Sequence, residues 1–153
     1  MHNGFYIRTG YFLFSLFFPS KAYGKENFPQ GKALIVANHY SAVDPAFLYK
    51  FTKKDIFFLS KKEALQNKIA KRLLEEAGAI GIDRETNDMR GMMNAMKVLK
   101  DGKRLVVFPE GTRNKSGEEL QELKGGAGVF AVKTKSPVVP VMFYKKPQIF
   151  RRT

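Results

Sequence analysis

The run "ALIVANHYSAVDP", residues 33 to 45, sets an unbroken apolar stretch against a polar turn and closes on an Asp-Pro pair. An apolar run of this length, with Ile35 and Val36 β-branched, predicts a short strand buried on both faces, the kind found inside a parallel sheet. The strand ends at Asn38-His39, and His39 is the second of only two histidines in the chain. In a continuous helix, residues five apart point away from one another, because neighbours on a face lie three or four apart. His39 and Asp44 therefore meet only if the chain leaves the strand, turns and folds Asp44 back. Asp44-Pro45 then supplies the N-cap and first position of a helix over "AFLYKF". That arrangement puts an imidazole at the carboxyl end of a strand, where open α/β sheets hold their ligands.

Elements on either side repeat the pattern. "DIFFLS" (55–60) and "RLVVFP" (104–109) are further hydrophobic strands, "AIGI" (79–82) a shorter one, and "PVVPVMFY" (137–144) a β-branched run. Between them, Ser60-Lys61-Lys62-Glu63 has capping-box spacing and predicts a helix start. Leu65, Ile69, Leu73 and Leu74 follow at helical spacing, and Gly78 supplies a left-handed stop. Met89, Met92, Met93, Met96 and Leu99 mark one face of another helix ending near Gly102, and such a stripe reads as core. A small helix is expected from about Gly126 to Lys135. Strands alternating with helices predict a single α/β domain with a mostly parallel central sheet flanked by helices.

A chain of 153 residues without cysteine is one domain long and has neither a disulfide framework nor a thiolate metal site. Twenty-seven Lys+Arg against 14 Asp+Glu give a formal charge of +13, enough to attract polyanions of several kinds. Taken singly, most of these lysines read as a solvated basic surface. The rival reading is a basic binding module without catalysis, for nucleic acid or an anionic membrane, in which His39 and Arg113 are only contacts and aromatics interleave with basic residues on one face. Here the aromatics gather in apolar strands and in the amino-terminal "GYFLFSLFFPS" (10–20), which speaks against nucleic acid as a partner.

That amino-terminal stretch is too short to span a bilayer, which takes roughly 18–20 apolar residues. It reads as an interfacial anchor with aromatics at headgroup depth, as a helix packed on the core, or as a signal peptide cut after Ala22. The anchor is favoured, since an aromatic segment beside a basic body provides two membrane-binding signals. The expected organisation is a membrane-associating segment over 1–20 and a domain over 21–153.

Candidate chemistry gathers at the strand ends. An aspartate bonded to one nitrogen of His39 would orient the ring and leave the other nitrogen as a general base. The bland alternative makes Asp44 a helix cap and His39 a polar strand end, and the motif alone leaves both open. Ser41 is near enough to suggest a hydrolase, but no Gly-x-Ser-x-Gly elbow exposes it. In "FPEGTRN" (108–114), Gly111 permits a sharp turn that presents Glu110, Thr112 and Arg113. The Arg113 fork suits a phosphate or carboxylate, and Glu110 could hold that fork in place. "GIDRE" brings Arg84 to the same edge. "LKGGAGVF" sets Lys124 ahead of glycines that open a helix, where free N–H groups favour an anion, although Gly128 reads as a close-packing residue. Together these describe a base beside an anion site, suited to deprotonating a hydroxyl on a phosphorylated substrate so that it attacks an activated acyl group.

Four blocks in order, "NHYSAVDP", "GIDR", "FPEGTR" and "SPVVPV", resemble the motifs of the glycerolipid acyltransferases of the 1-acyl-glycerol-3-phosphate acyltransferase (lysophosphatidic acid acyltransferase) type. The resemblance runs over roughly residues 22 to 143 and includes the lead-in "GKENFPQGKALIVAN". It implies direct acyl transfer, with His39 as base, Asp44 orienting it, and Arg84, Glu110 and Arg113 binding the acceptor, lysophosphatidic acid. Gly111 and Thr112 would shape the loop, Pro140 would sit near the acyl site, and Lys124 is added as a phosphate contact. The donor would be acyl-CoA or acyl-carrier protein, the product phosphatidic acid for phospholipid biosynthesis. No metal or further cofactor is implied. The enzyme would work as a peripheral or monotopic protein on the cytoplasmic face of an anionic membrane. Related enzymes continue beyond the fourth block, so the ending "KKPQIFRRT" reads as that of a short member or a fragment.

Overall fold

The structure, a computed structural model, describes residues 5–52, 56–83, 86, 88–116 and 118–144. Among these, five strands form one sheet: β1 (Ala33–Ala37), β2 (Ile56–Lys61), β3 (Ala79–Ile82), β4 (Arg104–Val107) and β5 (Val138–Val141). Their order is β3-β2-β4-β1-β5, and every neighbouring pair is parallel. The helices are α1 (Phe5–Phe17), α2 (Asp44–Thr52), α3 (Lys68–Glu76), α4 (Met89–Lys100) and α5 (Gly126–Thr134).

Side chains alternate across β1 and divide the core in two. Ala33, Ile35 and Ala37 pack with Leu48 of α2, whereas Leu34 packs with Ala95 and Leu99 of α4 and Phe130 of α5. A fully buried side chain of this size contributes about 1.5–3 kcal/mol. The connections β1→β2 and β2→β3 step toward one edge of the sheet, and β3→β4 and β4→β5 step toward the other. Right-handed crossovers then put α2 and α3 on one side and α4 and α5 on the other.

At the end of the sheet away from the strand carboxyl termini, Arg104 is buried and fastens two backbone segments through three carbonyls. It donates to the carbonyls of Pro29 at 2.6 Å, Gly31 at 3.4 Å and Thr52 at 3.4 Å. Burial lowers the pKa of this guanidinium below its ordinary value.

Several local expectations need correction. Ser60 does not cap a helix, because it lies in β2 opposite Gly81. Ladder pairing keeps the chain extended to Lys61, a 3₁₀ turn follows over Lys62–Leu65, and α3 begins only at Lys68. Its cap is Asn67, whose side chain accepts from the N–H groups of Ile69 and Ala70. The methionine stripe is split: Met92 and Met96 lean on the core, while Met89 and Met93 face solvent. Gly128 is not a close-packing residue, since a β-carbon there would meet nothing within 4 Å.

The amino-terminal segment is helical as α1. Phe14 packs edge-on against Phe47 of α2, with ring centroids 4.9 Å apart, and Lys50 Nζ donates to the Phe18 carbonyl. Phe12, Leu13, Leu16 and Phe17 remain exposed. No helix among the described residues is long and apolar enough to cross a membrane.

Candidate active site

The chain leaves β1 for α2 on one side of the sheet and leaves the adjacent β4 for α5 on the other. Such a point opens a crevice at the carboxyl ends of the strands. His39 follows β1 at this crevice, and Phe108-Pro109-Glu110 follows β4. The His39 ring stacks on Phe108, with centroids 4.0 Å apart.

Nδ1 of His39 lies 2.8 Å from Oδ2 of Asp44. The same oxygen accepts the backbone N–H groups of Tyr40 and Ser41, each at 2.8 Å. Asp44 is therefore not the N-cap expected from Asp-Pro: its carboxylate turns back to the loop and the ring instead of toward the α2 amides. An acceptor on Nδ1 keeps the proton there and leaves Nε2 as the basic nitrogen. Among the described residues nothing is bonded to Nε2. Asp44 is 0% exposed, and its Oδ1 is buried without a partner, a cost that a simple turn residue could avoid. Ser41 Oγ accepts from the Val43 N–H at 3.4 Å and makes no bond to His39, so the serine-hydrolase geometry is absent.

A second frame holds the backbone of His39. Its N–H donates to Glu110 Oε1 at 2.6 Å, and its carbonyl accepts from the Asn114 N–H at 2.6 Å. The other Glu110 oxygen accepts from the Gln121 N–H at 3.1 Å. Asn38 and Tyr40 both donate to the carbonyl of Glu119. Residues 118–124 thus form a strap bound across the strand ends chiefly through backbone groups.

This network corrects the role expected for Glu110. It is 3% exposed, its two oxygens are committed to backbone donors, and no ion pair joins it to Arg113. Glu110 thus holds the backbone of His39 and of the 118–124 strap and does not hold the Arg113 fork. Asn114, which the sequence reading passed over, shares the task. Its place directly after "EGTR" was the available signal.

Two of the anion-site candidates, Gly111 and Lys124, line a cavity that Phe108 also lines. This cavity, of about 260 Å³, has Leu59, Met92 and Phe130 in its apolar wall and Gly111, Asp88 and Lys124 among its polar lining. Gly111 has φ +70°, and a β-carbon there would come within 3.1 Å of Lys124 Cδ and Cε, so the lysine stem lies over the glycine. The Lys124 N–H also bonds the Pro109 carbonyl at 2.8 Å. Thr112 and Arg113 are exposed on the same turn. Neither Arg113 nor Lys124 makes an ion pair among the described residues. Arg84 lies outside the described residues, as does "KKPQIFRRT".

The loop that follows β3 is organised by Asp88, whose side chain accepts from the N–H groups of Gly91 at 2.9 Å and Asp83 at 3.1 Å. These two bonds, Gly91 first, hold its carboxyl below the ordinary carboxylate range. Pro140 falls elsewhere: it is exposed on β5, at the edge of the sheet, paired in register with Val36, and is not part of the cavity wall. An edge position suits a residue that cannot donate to a ladder.

Residues 20–144 match the model of a family described as Acyltransferase. A 1-acyl-sn-glycerol-3-phosphate acyltransferase of Helicobacter pylori is 34% identical over 128 residues, covering 81% of this chain and 53% of the relative. One from Bacillus subtilis is 34% identical over 125 residues, covering 80% of this chain and 61% of the relative. The crystal structure of the 1-acyl-sn-glycerophosphate (LPA) acyltransferase PlsC from Thermotoga maritima superposes with a TM-score of 0.76 at 26% identity, covering 96% of this chain and 61% of that one. The chain thus spans between half and two thirds of the length of these relatives.

Proposed function

The chain belongs to the Acyltransferase family, and from that premise we propose that it acylates the free hydroxyl of 1-acyl-glycerol-3-phosphate to give phosphatidic acid. The observation that carries this reading is the His39–Asp44 contact of 2.8 Å beside a cavity lined by Lys124. With Nδ1 committed to Asp44, Nε2 takes the proton of the acceptor hydroxyl as its oxygen attacks the thioester carbonyl. A C–O bond forms, the C–S bond breaks, and the thiolate departs with the proton, so no acyl-enzyme is needed.

Arg113 and Lys124 supply positive charge for the acceptor phosphate, with Arg84 added by the family resemblance. Gly111 and Thr112 form the turn between them. The donor is a fatty-acyl thioester, as acyl-CoA or acyl-carrier protein, and the scheme calls on no metal or other cofactor. The exposed aromatic side of α1 and the charge of +13 support a protein that rests on an anionic membrane, on its cytoplasmic face, where it meets a lipid acceptor.

The test is acyl transfer from labelled acyl-CoA, and separately from acyl-carrier protein, to lysophosphatidic acid in detergent micelles, with His39→Ala alongside. Phosphatidic acid formed by the wild type and lost in the folded variant is expected. A variant as active as the wild type would remove His39 from the chemistry. No product from either donor with folded protein would overturn the activity.

A further inference from the structure

Helix α3 is strongly amphipathic and yet buries none of its residues. Ile69 is 75% exposed and Leu73, one turn on, is 53% exposed, so these two apolar residues face solvent while Leu65, Ala70 and Leu74 are half-buried toward the body. Singly exposed aliphatics are ordinary, but a segregated stripe on a helix is not. Basic residues flank it: Lys68, Lys71 and Arg72 within α3, and Lys61 and Lys62 just ahead, all exposed.

The helix is also poorly supported from within. Its bases sit toward the amino end and Glu75 and Glu76 at the carboxyl end, the order that opposes the helix dipole. The pairs Lys71–Glu75 at 3.9 Å and Arg72–Glu76 at 3.2 Å run in the weaker direction for i,i+4 contacts. These pairs set Lys71 and Arg72 against the two glutamates and leave Lys68, next to Ile69 in the chain, and Lys61, just ahead of the helix, as exposed positive charge.

The crossover geometry puts α3 on the α2 side of the sheet, the side on which α1 packs through Phe14 and Phe47. The exposed Ile69 and Leu73 of α3 and Phe12, Leu13, Leu16 and Phe17 of α1 thus belong to helices on one face of the sheet. Lys25 and Lys50, over the ring of Phe51 at 5.5 and 5.6 Å, add positive charge to it.

We infer that α3 is a second lipid-facing element, which lays Ile69 and Leu73 into the interface of an anionic bilayer and sets Lys68 and Lys61 against its phosphates. A second copy of the chain is a poor occupant of this stripe, because two bodies of +13 repel. Two separate contacts also hold a protein on a membrane more stably than one. The inference deepens the membrane-bound reading above and rests on it.

The chain contains no tryptophan, so an introduced one is a clean reporter. Ile69→Trp and, as the reference for α1, Phe12→Trp are titrated with vesicles of phosphatidylcholine alone and with added phosphatidylglycerol, and cosedimentation is followed in parallel. A blue shift of both reporters that requires phosphatidylglycerol is expected. The double variant Ile69→Ser, Leu73→Ser, with an unchanged melting temperature, is expected to lose about tenfold or more in vesicle partitioning. Cosedimentation and a shift in Phe12→Trp without a shift in Ile69→Trp would overturn the α3 contact and leave the α1 contact standing. Absence of cosedimentation would overturn both. A shift of Ile69→Trp that depends on protein concentration without vesicles would assign the stripe to self-association instead.

Discussion

The backbone N–H of His39 donates a 2.6 Å hydrogen bond to Glu110 Oε1, across 71 residues of sequence. The other oxygen of that carboxylate holds the Gln121 N–H, so one buried side chain sets the position of the β1 end and of the strap over it. Glu110→Ala leaves both amides without their acceptor and is expected to cost about 3 kcal/mol of stability. Its kinetic mark is a lower kcat with the KM for lysophosphatidic acid within about twofold of wild type. A raised KM with kcat intact would return Glu110 to the acceptor site. Thermal melts and steady-state kinetics at saturating donor separate the two.

Asp44 serves both the His39 ring and two loop amides. Asp44→Asn keeps the side-chain volume but offers Nδ1 a poorer acceptor and no longer enforces the tautomer. By analogy with orienting carboxylates in other base-catalysed acyl transfers, kcat should fall by about a thousandfold to ten-thousandfold. A loss below about tenfold, with the fold intact by circular dichroism, would make Asp44 a loop residue only.

Gly111 and Lys124 form a linked pair. Lys124→Ala should raise the acceptor KM about tenfold to a hundredfold, the loss of one charge-assisted bond. Gly111→Ala puts a side chain at φ +70° and into the lysine stem, so it should also raise KM. In the double variant the two effects should fall short of additivity, because the second change has less lysine positioning left to disturb. Strict additivity would count against the contact.

Asp88 predicts a pH dependence. The N–H groups of Gly91 and Asp83 lower its pKa in the folded state. The stabilisation is therefore complete above the pKa of the unfolded carboxyl and is lost as pH falls through the folded value. The melting temperature of Asp88→Asn should lie below that of the wild type at neutral pH, and the gap should close as pH drops below about 4. A gap independent of pH would assign the effect to cap geometry alone.

Much of the architecture is legible locally. "ALIVA" and "LVV" are continuous apolar runs because a parallel sheet buries both faces of its inner strands, and the glycine after α3 stops it because φ is +94° there. The start of α3 is not legible in the sequence, because Ser60 has a ladder partner in Gly81 that no local pattern reveals.

By itself, the sequence determined the succession of strands and helices and the family motifs, and it set His39 and Asp44 close enough along the chain to meet, whereas the contact itself is seen only in the folded loop. Only the tertiary structure decided that Glu110 holds the backbone of His39 instead of the Arg113 fork, that Pro140 lies apart from the cavity, and that Ile69 and Leu73 of α3 face outward. Hydrogen-bond partners and burial are settled by which distant segments the sheet order brings together, and five parallel strands admit many orders with the same local pattern.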